Sequence, residues 1–424
     1  MTPRLSFAHR QRGAAALIVT LALLFAMLVA TVFVNRNLLV EQHSARNHER
    51  ATQAFEAAEA GLEWVMGQLN NPLRLDTACV PSTAAAASAF RARYLRIDMR
   101  SGRLTPAEWI DAGVARPLRA SCMRVGDRWA CSCPTDALPN LPLSSDAEAA
   151  PTFSIELTAA ARPGTVRVVS TGCSRAVNPC SVDNNDRNGA SARVEVTAAL
   201  LPALRTPPAA ALTARGAVAT AARIGAHNAD PESGIAIHAG GAIDVPAAQL
   251  TTAAGASLGD ALLPNDPALL GSSAARFFAS RFGLGKTDWS AQPGVTRIEC
   301  SGGDCAAATL RAIDAAGTPA LIWIDGDLAL DGPIALGTRE RPVVLIVSGA
   351  ARLSGAVTFH GVLHAGAVSW ASPAPGALLR GALLSETSYS GDGTPALVYD
   401  TAVLATLQRA SGSFVRVSGS WRDF

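Results

Sequence analysis

The chemistry-bearing side chains of this 424-residue chain fall into a few constellations. Asn184-Asn-Asp186-Arg-Asn188-Gly189, followed by Glu195, puts oxygen-bearing side chains at positions 1, 3, 5 and 12 of a loop and glycine at position 6. That is the spacing of an EF-hand calcium loop, a bend of oxygen ligands closed by a bidentate carboxylate. Against calcium, position 1 is Asn rather than Asp, and Glu195 falls in a strand-like alternation; an Asn/Asp turn is the other reading. His360-Gly-Val-Leu-His364 has an i, i+4 spacing that faces one way only on a helix, and its glycine-rich surroundings read as strand. With His227 and His238 scattered, no metal pair is expected there. Asp325 and Asp327 flank a glycine, where carboxylates are far more often solvated turn residues than an acid–base pair.

Cysteine is the remaining reactive type. Cys79, Cys122, Cys131, Cys133, Cys173, Cys180, Cys300 and Cys305 all follow the first apolar segment. An even set confined to one side of such a segment reads as disulfides formed in an oxidising compartment. Zinc is the weaker alternative, because Cys131-Ser-Cys133 lacks the usual Cys-x2-Cys spacing. Cys173 and Cys180 flank one turn-rich stretch and suit a local bridge, while pairing among the rest stays open. A formal charge of +2 offers no field to recruit nucleic acid, so no nucleic-acid partner is expected.

The elements that must position these groups begin with the N-terminus. Residues 1–12 carry Arg4, His9, Arg10 and Arg12 and no acid, and Ala14–Val34 is a run of 21 residues without charge. Such a run is long enough to span a bilayer as a helix, with the basic end on the cytoplasmic side. It is longer than the apolar core of a secretory signal, and more helix follows it. Ala51, Phe55, Ala58, Leu62, Val65 and Leu69 recur at four- and three-residue steps until Asn70-Asn71-Pro72 stops the helix. A continuous helix over residues 14–70 would be a rod of roughly 85 Å at ~1.5 Å per residue.

Gln11-Arg12-Gly13-Ala14-Ala15-Ala16-Leu17-Ile18-Val19, with Ala54-Phe55-Glu56-Ala57-Ala58-Glu59-Ala60-Gly61-Leu62 after it, resembles the N-terminal region of PilX-family minor pilins. The ending of the chain, Val398-Tyr399-Asp400 through Gly419-Ser420-Trp421-Arg422-Asp423-Phe424, is similar to the ending of that family. The resemblance implies cleavage by a prepilin peptidase between Gly13 and Ala14. It also implies an inner-membrane, single-pass precursor with its N-terminus in the cytoplasm, destined for the periplasm and an extracellular type IV pilus. Its implied partners are other minor pilins, the major pilin, inner-membrane lipid and a PilY-type tip adhesin. Ile18 departs from the major-pilin pattern, in which a glutamate at mature position five pairs with a neighbour's N-terminal amine. A subunit without that buried carboxylate needs no such partner, which suits the filament tip; better membrane insertion is the other explanation.

Phe153–Leu157, Thr165–Val169 and Ala192–Thr197 alternate apolar and polar residues and read as antiparallel strands. Past the proline-rich Leu201–Pro208, glycine-punctuated apolar runs repeat. Ile324–Ile334 aligns with Val347–Val357 at an offset of 23, with Gly361 and Gly381 continuing a period near twenty. A small β-solenoid is expected, with an irregular β-sandwich as the alternative. The fold class is therefore α+β: leader 1–13, pilin-like helix 14–72, disulfide-bearing α/β head 73–200, proline-rich linker 201–214, β-solenoid-like domain 215–400 and tail 401–424. No enzyme is expected. A surface-binding module whose solenoid contacts a host or glycan ligand is the alternative to pilus assembly.

Overall fold

The computed structural model describes residues 12–141, 150–178, 180–182, 189–221, 224–245, 249–300, 305–371, 376–392 and 395–424. Helix α1 runs unbroken from Arg12 to Asn70, 59 residues, or about 88 Å of rise. Its stop is local: the Asn71 carboxamide oxygen accepts from Leu73 N–H at 3.0 Å, turning the chain out of the helix ahead of the head.

The second half of α1 lies on an antiparallel sheet. In spatial order the strands are Gly412–Arg416, Ser191–Pro202, Thr165–Cys173, Thr152–Ala159, Arg119–Val125 and Arg128–Ser132. All three alternating segments are central strands here. Ala58, Leu62, Val65 and Leu69 pack on Phe153, Ile155, Val166, Val168, Val194, Val196 and Phe414 to make the head core. The buried stripe differs from the expected one at its start: Ala54 and Ala57 are inside beside the expected Ala58, whereas Ala51 and Phe55 are exposed. Gly172 explains the rotation. A Cβ there would lie 2.1 Å from the Ala54 carbonyl oxygen and 2.4 Å from the Ala58 nitrogen, so helix and strand touch backbone to backbone where Phe55 has no room.

The second domain is a parallel solenoid with three faces. One face stacks, in spatial order, Thr296–Glu299, Ala320–Asp325, the start of Val343–Ser354, the centre of Val357–Ala371, Leu378–Ser385, Ala210–Ala214, Ile235–Ala239 and Leu262–Leu263. The 23-residue repeat is a true register: Leu330 pairs with Leu353 and Ile334 with Val357. Gly361 pairs with Gly381 at a corner where the backbones nearly touch; a Cβ on Gly381 would sit 2.0 Å from the Gly361 carbonyl oxygen. Leu345, Leu363, Phe359, Trp370, Leu383, Leu212 and Val218 fill the interior.

Coil order in space is not coil order in sequence. The chain enters mid-stack at Ala210, winds out to Leu263, crosses over the outside, restarts at Thr296 and winds back until Leu383 pairs with Leu212. The crossing segment holds the helices Ala274–Phe282 and Lys286–Ser290. Phe278, Phe282 and Trp289 from it, with Leu404 and Leu407 from the helix Thr401–Arg409, cover Trp323, Val344, Ile346, Val362 and Leu384. Being buried on both sides, that face reads as continuous apolar sequence rather than alternation.

Two boundaries differ from the sequence expectation. The 201–214 stretch is no free linker: strand runs to Pro202 and resumes at Ala210, and Ala203 and Leu204 between them are fully buried. Residues 401–424 are no tail either. They form a helix on the solenoid and then return to the head, where Gly412–Arg416 pairs with Ala198–Pro202. Ser411 and Ser413 are buried at that return, so the outermost head strand is fixed in place by the far end of the chain.

Candidate functional site

From Leu17 to Val34 the large apolar side chains of α1 are 50–67% exposed, Ile18 among the most at 67%. Among the described residues this is the one helix long and apolar enough to cross a membrane. Bare apolar surface of that extent needs lipid or other helices around it. Gly13 and Ala14 lie within the first turns of α1.

The docked half is where the two ends of the chain meet. Trp421 Nε1 donates to Glu59 Oε1 at 2.8 Å, and the Arg416 guanidinium pairs with Glu63 at 2.6 Å. The acidic Ala54–Leu62 segment and the C-terminal Gly419–Phe424 segment thus form one interface. Deeper in, buried Asn70 makes a two-way clamp on Phe414: Phe414 N–H donates to Asn70 Oδ1 at 2.7 Å, and Asn70 Nδ2 donates to the Phe414 carbonyl at 2.9 Å. Arg91 adds a bond to the Gly412 carbonyl at 2.9 Å, and burial pulls its pKa down to about 10. Asn70→Ala leaves both Phe414 backbone groups buried without partners, at a cost of about 2–4 kcal/mol. Urea denaturation of the full chain in detergent, with hydrogen exchange at the Phe414 amide, measures this; unchanged protection would disprove the clamp.

All eight cysteines are paired: Cys79–Cys133, Cys122–Cys131, Cys173–Cys180 and Cys300–Cys305. Cys131 and Cys133 go to different partners because Cys122 and Cys131 face each other across one hairpin, whereas Cys133 fastens the loop after α1. Arg93 fastens the same loop, donating to the Cys133 and Leu75 carbonyls, both at 2.5 Å.

The other constellations are dispersed. Asn184, Asp186 and Asn188 lie outside the described residues. Glu195 stands in the Ser191–Pro202 strand, 3.5 Å from Arg193 and 3.8 Å from Arg167. Asp325 takes hydrogen bonds from Trp323 and Arg297, and Asp327 from the Ala350 amide and Arg352; both carboxyls are held below their usual range by those bonds. They work as ties between neighbouring coils. His364 is completely buried under Phe277, Phe278 and Phe282, and desolvation, helped by Lys286, lowers its pKa to about 3. It is a neutral core residue whose Nε2 lies 3.3 Å from Glu386, itself paired with Lys286 at 2.6 Å. Its sequence neighbour His360 pairs with Arg380, four strand positions away. Among the described residues no three His, Cys, Asp or Glu side chains gather as a metal site.

The chain thus presents a helix bare over its apolar first half and docked over its second half on a disulfide-bearing antiparallel sheet. Residues 12–63 match the family model described as PilX N-terminal. The crystal structure of the competence-associated pilin ComZ from Thermus thermophilus aligns with 88% of this chain and 97% of that one, at 11% identity and a TM-score of 0.24. No curated protein matches the chain.

Proposed function

We propose that the chain is a minor pilin that works by assembly rather than catalysis. In this reading the prepilin peptidase trims it after Gly13, the inner membrane holds Ala14–Val34, and the periplasmic head then joins a type IV pilus with the major pilin and other minor pilins. The carrying observation is that α1 is a single helix, bare where it must meet lipid or neighbouring helices and docked where it must hold a head. A tip position that primes assembly and displays a PilY-type adhesin fits two further features. Ile18 offers no carboxylate to a neighbour's amine. The solenoid is tied to the head through Gly412–Arg416 and through the Leu73–Ala316 bridge, ties that brace it against swinging clear of copies at each helical step.

Immunogold labelling with antibodies to residues 215–400 tests the placement. Label at filament ends is expected, and label spread along the shaft would refute it. Ile18→Glu is expected to insert normally in the membrane but to lower the number of pili. Deletion of the gene should remove pili; normal pili with lost adhesion would favour the surface-binding alternative.

A further inference from the structure

The two ends of the solenoid are finished differently. At one, the helix Cys305–Ala315 lies on the outermost coil, with Ala306, Leu310 and Ile313 packed on the interior core and the Cys300–Cys305 disulfide fastening it. The head closes the same end, at a seam where Gly317 N–H donates to the Pro72 carbonyl at 2.7 Å. At the other end the outermost strands are Ile243–Asp244, Gln249–Thr251 and Leu262–Leu263, and among the described residues each pairs on one side only. The loop 252–261, which links the last two of them, sends one small side chain, Ala261, into the interior. Ile243, Val245, Leu250 and Leu262 are left half-buried on the core, and Leu258 and Leu263 are 59% and 41% exposed.

A stack of coils needs a cap, because its end strands otherwise offer unpaired backbone groups and apolar side chains to water. The charge at this end says what kind of cap. From Ile224 to Ala275 the chain has no lysine or arginine but five acids, Asp230, Glu232, Asp244, Asp260 and Asp266, although its overall formal charge is +2. Asp244 and Asp260, on the outermost coil, are exposed, while Asp266 is paired with His238 at 2.7 Å. A second copy is a poor occupant on two counts. End to end, acids would face acids; head to tail, the strands of the opposite end are already covered by the helix and the head.

We propose that this end of the solenoid docks a different protein, one that brings an unpaired β-strand edge and a rim of lysine or arginine. Strand pairing supplies affinity by β-augmentation, Leu258 and Leu263 supply apolar contact, and Asp244 and Asp260 select a basic partner. The inference rests on the solenoid and not on the minor-pilin reading.

The test places the photo-crosslinker benzoylphenylalanine at Leu258 or Leu263 of the full chain, in cell envelopes carrying the assembled protein. One product with another protein is expected from both positions, its partner peptide, read by mass spectrometry, carrying lysine or arginine. The yield should fall about tenfold or more in the double variant Asp244→Lys, Asp260→Lys, where like charges would meet. It should fall similarly on raising salt from ~0.15 M to ~1 M, as the screening length drops from ~8 to ~3 Å. The salt arm uses the chain with its acids intact, which keeps the test decisive if the double variant fails to fold. The same probe at Ile110, exposed on a head hairpin, should not give this product. No product from either leucine, a self-crosslink, an adduct to lipid or glycan, or a yield indifferent to salt would overturn the proposal. N-terminal sequencing of the same samples scores leader removal, so failure of the minor-pilin reading is seen separately.

Discussion

Gly172→Ala is expected to destabilise the head by about 3 kcal/mol or more, at the upper end of overpacking costs. The added Cβ would stand 2.1 Å from the Ala54 carbonyl oxygen and 2.4 Å from the Ala58 nitrogen. Neither neighbour is a flexible side-chain end. Both belong to α1, so relief requires lifting the helix from the strand Thr165–Cys173 and loosening Ala54, Ala58 and Leu62 together. The strand cannot yield instead, because Gly172 is paired with Phe153 on one side and Ala192 on the other. Gly67→Ala is the matched control. It lies on the exposed side of the same helix, where a Cβ meets nothing within 4 Å, and it should stabilise by about 0.5–1 kcal/mol. Denaturant titrations of the two variants in detergent should shift in opposite directions. Parallel shifts would mean that α1 does not ride on the sheet at Gly172.

That contact also marks where sequence reading ends. The lower helix stripe, Ala58, Leu62, Val65 and Leu69, was legible because large residues recur at helical spacing. The upper contact was not, because it is made by alanine against glycine, and small residues leave no hydrophobic period. The 23-residue register was legible for a similar reason: Leu330 and Leu353, or Ile334 and Val357, occupy equivalent sites on successive coils. The mid-stack entry was hidden, since the pairing of Leu212 with Leu383 joins residues 171 positions apart with no local signal. Both family-like segments were visible separately, at Ala54–Leu62 and Gly419–Phe424. Only the fold shows that Glu59 and Trp421 are partners, and only then do two distant resemblances become one interface. Asn70 looked like a stop signal alone, yet its carboxamide holds a strand 344 positions away.

The closed path has a mechanical consequence. A pull on the solenoid reaches the head along three routes: the Pro72–Gly317 seam, the chain running from strand Ser191–Pro202 to Ala210, and the Gly412–Arg416 strand beneath Asn70. Strand Ser191–Pro202 pairs with both Thr165–Cys173 and Gly412–Arg416. Load is therefore spread over the head sheet rather than carried by a single connector. The disulfides Cys79–Cys133 and Cys122–Cys131 reinforce the side of the head nearest the end of α1, where the loop Leu73–Cys79 leaves the helix.

Gly13→Val is expected to block maturation outright and leave the chain in the membrane as a longer precursor, absent from filaments. Residues 1–12 carry Arg4, His9, Arg10 and Arg12 without an acid, while Ala14–Val34 carries no charge. In a bilayer the basic leader sits comfortably in the aqueous and headgroup region, so the precursor inserts whether or not it is cut. A helix bundle is a different solvent. Drawing an uncut leader into it would place Arg10 and Arg12 among apolar side chains such as Leu17, Ile18 and Leu21, at about 2.5–3.5 kcal/mol for each arginine by membrane-insertion scales. If the proposed cut falls after Gly13, glycine there leaves the peptide open to the peptidase, whereas valine would put a β-branched side chain against the bond to be broken. N-terminal sequencing of the parent protein should begin at Ala14, and the variant should migrate as the uncut chain with membrane levels near normal. Assembled parent protein that still carries its leader would sink both the processing step and the minor-pilin reading built on it.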